Sequence, residues 1–232
     1  MKRAILAAAS LAIFSASASA SDINDQGKLL LEQDFGTLTI NKIDSGEIHF
    51  PKGQMVPVHT HVAPVFGYVS KGSISFQVEG RGPQLRREGD AFYEPAGPNI
   101  LHFDNASDAE EAVFTTFSLQ KNGQPPIVFP VPPKEKINRR ALPAAELGQT
   151  TVHKIQIREQ TIAAGPGLAA HQHKAPVAGY VAEGELKLGI AGDETVIIKK
   201  GRSFYEPERK IITTFAAAGG GPVKVISFFL FK

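Results

Sequence analysis

The chain of 232 residues contains no cysteine. Disulfides, thiolate metal sites and cysteine-based catalysis are therefore excluded, and the fold must stand on packing alone. No stretch shows a convincing long helical period. No segment supplies the ~20 consecutive apolar residues needed to cross a bilayer. No basic run or aromatic stripe points to nucleic acid. Net charge is also scarce, at a formal +2, and even this resides in the leader. Lys2 and Arg3 open the chain, Ala4 to Phe14 is apolar, and Ala18-Ser19-Ala20 forms an A-x-A cleavage site. Residues 1–20 thus read as a cleavable signal peptide. Removing it takes two of the 25 basic residues and none of the acidic ones, leaving 23 of each and no net charge. The expected mature protein begins near Ser21 and works in the periplasm or as a secreted protein.

What the chain has is a repeat. His59-Thr60-His61-Val62-Ala63-Pro64-Val65-Phe66-Gly67-Tyr68-Val69 returns as His171-Gln172-His173-Lys174-Ala175-Pro176-Val177-Ala178-Gly179-Tyr180-Val181, an offset of 112 residues. Phe92-Tyr93-Glu94-Pro95 returns as Phe204-Tyr205-Glu206-Pro207 at the same offset, and Val113 and Phe117 align without a gap to Val225 and Phe229. A repeat of this length means a duplicated domain rather than a solenoid. Side chains alternate along a strand, so His59 and His61 share a face, as do His171 and His173. Two imidazoles on one inward face are half of a metal site.

Within each copy, short apolar or alternating runs sit between glycine and proline punctuation, the pattern of antiparallel strands. The expected fold class is all-β, two tandem barrels that close to hide their edges. The expected boundaries are residues 21–120 for the N-terminal barrel, 121–140 for a connector and 141–232 for the C-terminal barrel. The connector holds Pro125, Pro126, Pro130, Pro132 and Pro133 and reads as stiff, extended chain with no strand of its own.

These motifs resemble those of the cupin superfamily, and specifically the two-domain bicupins. Gly53, His59, His61 and Gly72 fall at the spacing of the family's first motif, as do Gly165, His171, His173 and Gly184, while Gly89 to Gly97 fits the first half of its second motif. The resemblance implies jelly-roll barrels holding a metal through three histidines and one glutamate. The sequence departs from that pattern where the family glutamate is replaced by Val65 and Val177. The family histidine would fall at Ile100, whereas the available one is His102. The second copy has Ile212 and Thr214 at those two positions.

Two readings of His102 are open. An extended turn at Pro98-Asn99 would bring it into the site. A shifted strand would leave Ile100 there, with His102 roughly 6.6 Å further along on the same face. Turn chemistry favours the first, since proline presets φ and asparagine tolerates left-handed geometry. The candidate metal ligands are therefore His59, His61 and His102, with His171, His173 and Glu94 as secondary candidates. Glu94 and Glu206 read first as carboxylates that anchor their turns, and second as a substitute ligand or a base beside the site. His49 and His153, unmatched in the other copy, read as ordinary strand histidines, and Asn105-Ala106-Ser107 as an incidental glycosylation match.

The expected cofactor is one divalent transition metal (Fe, Mn, Ni, Cu or Zn), bound chiefly in the first half. Three neutral imidazoles leave open positions for a substrate oxyanion and dioxygen, so the first functional expectation is a dioxygenase-like enzyme acting on a small organic compound. The resemblance to cupins implies the same for a three-histidine site, whereas a carboxylate-containing site would look more like those of decarboxylases and flavonol-cleaving enzymes. The alternative is a non-catalytic exported protein that binds a metal or small ligand. If His102 points away, the oxygenase expectation gives way to that alternative, because two histidines without a carboxylate hold a divalent ion weakly. The expected partner is a small-molecule substrate or ligand, and a homodimer is compatible with the sequence.

Overall fold

The computed structural model describes residues 21–22, 26–134 and 136–232, so the expected signal peptide lies outside the described residues. Every regular element among them is a strand, and no helix there is long and apolar enough to cross a membrane. The first half contributes β1 (Ser21–Asp22), β2 (Lys28–Phe50), β3 (Val65–Lys71), β4 (Ser73–Val78), β5 (Gln84–Arg87), β6 (Ala91–Glu94), β7 (Ile100–Asn105) and β8 (Ala112–Gln120). The second contributes β9 (Asn138–Ile162), β10 (His171–Gln172), β11 (Val177–Glu183), β12 (Glu185–Ile190), β13 (Val196–Lys199), β14 (Ser203–Glu206), β15 (Ile212–Ala217) and β16 (Val223–Phe231). The strands form where apolar residues alternate: Ile74, Phe76 and Val78 of β4 are buried while Ser73, Ser75 and Gln77 are partly exposed.

One eight-stranded sheet runs through both halves in the order β14-β11-β16-β9-β2-β8-β3-β6, and the small sheets β5-β4-β7 and β1-β10-β15-β12-β13 close the two barrels. The long strands β2 and β9 lie antiparallel at its centre, where Thr39 faces Thr151 with their hydroxyls 3.0 Å apart. Each long strand begins beside the other barrel before reaching its own. Asn138 to Ala145 pairs with Ile43 to His49, and Lys28 to Asp34 pairs with Lys154 to Glu159. The proline-rich connector thus ends inside β9, and residues 138–140 already belong to the first barrel's wall.

The repeat is not gapless to its end. Val65 opposes Ser118 on β8, whereas Val177 opposes Phe229 on β16. From Val65 to Val177 is 112 residues, but from Ser118 to Phe229 is 111. The loop before β16 is one residue shorter, so Phe117 corresponds to Phe228, and these two rings meet at 4.2 Å between the barrels.

Alternate residues of the central strands face either a barrel interior or the layer between barrels. Ile43, Ile155, Ile157, Phe117 and Phe228 build the shared layer. Phe92, Phe103 and Phe114 fill the first barrel, and Phe204, Phe215 and Val225 the second. Glu47 is buried at the shared layer, where it accepts hydrogen bonds from the Arg140 guanidinium (2.6 Å) and the Tyr180 hydroxyl (2.9 Å) and lies 3.0 Å from His49 Nε2. Burial opposes its ionisation, but these hydrogen bonds outweigh burial and hold its pKa below the ordinary 4.5. A carboxylate with a depressed folded pKa stabilises the fold above its unfolded pKa, and this contribution fades as pH falls through the folded value. Glu47→Gln should therefore cost about 2 kcal/mol near neutral pH. The gap between wild-type and variant melting temperatures should close below about pH 4.5.

Candidate metal centre

The first barrel's site begins with the chain entering β3. His59 pairs with Ile100 and His61 with Ala96, so both rings point into the barrel and are buried. Each has its Nδ1 against a carbonyl: His59 on Pro57 at 2.9 Å and His61 on Pro126 at 2.6 Å. A carbonyl only accepts, so Nδ1 carries the proton and Nε2 is the free lone pair aimed inward. The connector is thereby part of the site. It also forms the Thr60–Val128 bridge and lays Phe129 5.4 Å from the His59 ring.

The third donor is Glu94, from β6. Its cross-strand neighbour is Val65, the position where a glutamate was missing from the motif. The carboxylate arrives from the next strand instead. His59 Nε2 and His61 Nε2 lie 3.6 and 3.4 Å from Glu94 Oε1. The three donor atoms fall within 4.8 Å of one another. His61 Nε2 and Glu94 Oε1 are buried with no hydrogen-bond partner among the described residues. Orphaned buried donors converging on one point are what a divalent cation satisfies. Burial opposes ionisation of Glu94, yet the neighbouring imidazoles, His61 foremost, hold it down to about 2. Burial also opposes charge on His61, and the Glu94 carboxylate outweighs it, raising the His61 pKa.

His102 does not complete this site. It is half exposed and lies 3.1 Å, Nδ1 to Oδ2, from Asp104. Ile100 takes the inward place, fully buried. The cause is a β-bulge: Val78 pairs with Ile100 but Gln77 with His102, leaving Leu101 unpaired. The extra residue reverses the alternation, so Ile100 and Phe103 face the core and His102 turns out. The expectation that residues 100 and 102 share a face fails for that reason. Asn105, the apparent glycosylation acceptor, is buried and donates Nδ2 to the carbonyls of Phe50, Pro51 and Glu110.

The second barrel repeats the triad with His171, His173 and Glu206. Here the groups close on one another: His171 Nε2 and His173 Nε2 lie 3.3 and 3.0 Å from Glu206 Oε2, within hydrogen-bond reach. Burial disfavours charge on Glu206, but hydrogen bonds with both imidazoles hold its pKa down, and Glu206 in turn raises that of His171. Glu94 was legible as a secondary ligand candidate and Glu206 as its repeat before a proline, but their approach to the histidines depends on strand pairing.

The two sites differ in one neighbouring side chain. A cavity of about 110 Å³ opens beside the first triad, lined by Ile48, Phe50, Phe114, Ser118, Ile127 and Arg139 among others. In the second barrel the place of Ser118 is taken by Phe229, whose ring lies 5.6 Å from His173. Ser118→Phe should fill the first cavity and abolish xenon binding there, with metal content unchanged. Xenon pressurisation of crystals checks this, since the gas enters cavities with a largely apolar lining.

Two jelly-roll barrels, each directing two imidazoles and a carboxylate at one point, define a two-barrel protein suited to a divalent transition metal. The profile of the Cupin domain family matches residues 46–118 and 158–229, and the chain belongs to that family, with two cupin domains. Among solved structures it is similar to AerE from Microcystis aeruginosa (TM-score 0.61, 14% identity, 86% of this chain and 99% of that one). It is also similar to oxalate decarboxylase from Bacillus subtilis (TM-score 0.64, 16% identity, 90% and 79%). A third likeness is to salicylate 1,2-dioxygenase from Pseudoaminobacter salicylatoxidans (TM-score 0.57, 14% identity, 82% and 70%). At these identities the likeness is one of fold. No curated protein sequence matches the chain.

Proposed function

We propose that this is an exported metal-dependent oxygenase of a small organic compound, with its metal held in the first barrel by His59, His61 and Glu94. The observation that carries the reading is the donor set: two histidines and one carboxylate with unsatisfied buried atoms beside an apolar cavity. Sets of this kind leave open coordination positions and suit non-haem iron oxygenases. The metal, when bound, would polarise a substrate and bring dioxygen next to it. The protein's own residues do the rest. The Pro57 and Pro126 carbonyls fix the imidazole tautomers, Phe50, Phe103 and Phe114 line the cavity, and Pro126 and Ile127 of the connector complete its wall. The leader at residues 1–20 supports work in the periplasm or outside the cell. His102 turns outward, the outcome expected to favour the binding protein; the oxygenase reading rests instead on Glu94 as the third donor.

Metal analysis of the mature protein with its variants tests the first part. His59→Ala should lose the tighter-bound ion, while His102→Ala should retain it. If His102→Ala loses metal and His59→Ala does not, the assignment fails. Oxygen consumption by the iron-loaded protein over a panel of small organic compounds tests the second. Metal and ligand binding without any substrate-dependent oxygen uptake would establish the alternative, a non-catalytic binding protein.

A further inference from the structure

The small sheet of the second barrel ends in an open edge. Its order is β1-β10-β15-β12-β13, so β13 pairs with β12 on one side and with no strand on the other among the described residues. The Lys200 N–H donates to the Gly184 carbonyl at 3.0 Å, on the β12 side. Backbone groups alternate in direction along an antiparallel strand, so those of Val196 and Ile198 also face β12. The N–H and C=O of Ile197 and the N–H of Lys199 therefore point to the free edge. The side chains there are apolar: Val196 is 47% exposed and Ile197 59%. A groove lined by Pro143, Arg202 and Ser203 opens beside Ile197 and Ile198.

The first barrel guards the same edge. At the repeat offset of 112 residues, Val196 to Lys199 correspond to Gln84, Leu85, Arg86 and Arg87 of β5, and Thr195 to Pro83. Proline removes an outward N–H and the two arginines charge the strand, and both features keep edges from pairing. The second barrel lacks this protection where its apolar side chains are exposed.

The strand's own sequence decides what covers it. Glu194-Thr195-Val196-Ile197-Ile198-Lys199-Lys200 is self-complementary when laid antiparallel on itself about Ile197. A ladder forms only where the outward-facing residues of both strands meet, here Ile197 with Ile197 and Thr195 with Lys199. In this register Val196 opposes Ile198, and Glu194 opposes Lys200 at both ends. Glu194 and Lys200 are both exposed. The neighbouring registers, centred on Val196 or Ile198, set Glu194 against Ile198 or Lys200 against Val196 and lose both Glu194–Lys200 pairs.

We propose that β13 is a homodimer interface, in which two copies of this chain join edge to edge through residues 194–200. The copies are related by a two-fold axis at Ile197, the commonest symmetry of soluble oligomers, and their small sheets become one. The paired segment is short, so the dimer belongs with the small, reversible interfaces.

Sedimentation equilibrium of the mature protein should show its mass doubling reversibly between micromolar and millimolar concentration. Ile197→Lys sets two ammonium groups against each other at the axis and should weaken association at least about 10-fold. The melting temperature of the dilute protein should not change, because Ile197 is mostly exposed. Leu85→Lys, on the guarded edge, should leave association as it is. Glu194→Lys and Lys200→Glu each create two like-charge pairs per dimer and should each weaken it about 10-fold, while the double reversal Glu194→Lys/Lys200→Glu restores it. The absence of cysteine from the chain allows a second readout. Directly opposed hydrogen-bonded residues have Cα atoms about 5.5 Å apart, within disulfide reach. Ile197→Cys should therefore cross-link into a dimer on mild oxidation in dilute solution, and Leu85→Cys should not. A monomer at every concentration, or a dimer that Ile197→Lys leaves intact, overturns the inference. So does a double reversal that fails to recover what the single reversals lose.

Discussion

Glu94→Gln should strip the first barrel of its metal while leaving the fold intact. Glu94 is fully buried and its Oε1 lies within 3.6 Å of both imidazoles. It supplies the only negative charge among the three donors. The amide keeps the shape but removes that charge, and its oxygen is a poorer ligand for a borderline cation. Loss of a partner that merely orients a metal ligand costs 10- to 100-fold in affinity, so loss of a direct ligand should cost at least about 100-fold. The variant should also lose the ionic contact that raises the His61 pKa. Competition with a chelator of known affinity measures the change. Affinity within 10-fold of wild type would return Glu94 to the role of turn anchor.

The second large effect is expected at Gly67→Ala. Gly67 faces Phe92 across the β3–β6 pair, and a Cβ would lie 2.0 Å from Phe92 Cζ. Phe92 cannot retreat. It is fully buried and packed edge-on or tilted against Phe76, Phe103 and Phe114 at centroid distances of 6.2, 5.2 and 6.0 Å. Overpacking of this kind costs 1–3 kcal/mol and sometimes more, so a loss of about 3 kcal/mol or failure to fold is expected. For a chain of this size that lowers the melting temperature by about 6–12 °C. Any relief by displacing β6 also shifts Glu94, two residues from Phe92, so metal affinity should fall with stability. Gly179→Ala should behave alike, because its Cβ would meet Phe204 Cζ at 2.0 Å. A melting temperature within 2 °C of wild type in both variants would refute the packing argument.

The glycine of the repeated Gly-Tyr-Val thus has a packing reason, and its tyrosine has another. Tyr180 reaches from the second copy to Glu47 of the first. Neither reason can be read along the chain, although both residues are visible there as repeats. The same holds for Phe-Tyr-Glu-Pro, whose Glu94 the sequence offered only as a secondary ligand candidate. Its partner histidines are more than thirty residues away, and only the pairing of β6 with β3 brings them together.

The sequence by itself determined the duplication, the all-β class, the shared face of His59 and His61, and the absence of any thiol chemistry. These are local properties: strand alternation, turn residues and residue inventory act over a few positions and survive without knowledge of the fold. Tertiary structure alone decided which carboxylate joins the histidines, because a cross-strand neighbour depends on register. It decided that His102 faces outward, because one unpaired residue at Leu101 reverses the alternation beyond it. It decided that Ser118 and Phe229 are counterparts, because a one-residue deletion in a loop moves the last strand by one place. It also brought Arg139 into a barrel other than the one its own strand completes, since two long antiparallel strands each extend beside their neighbour's wall.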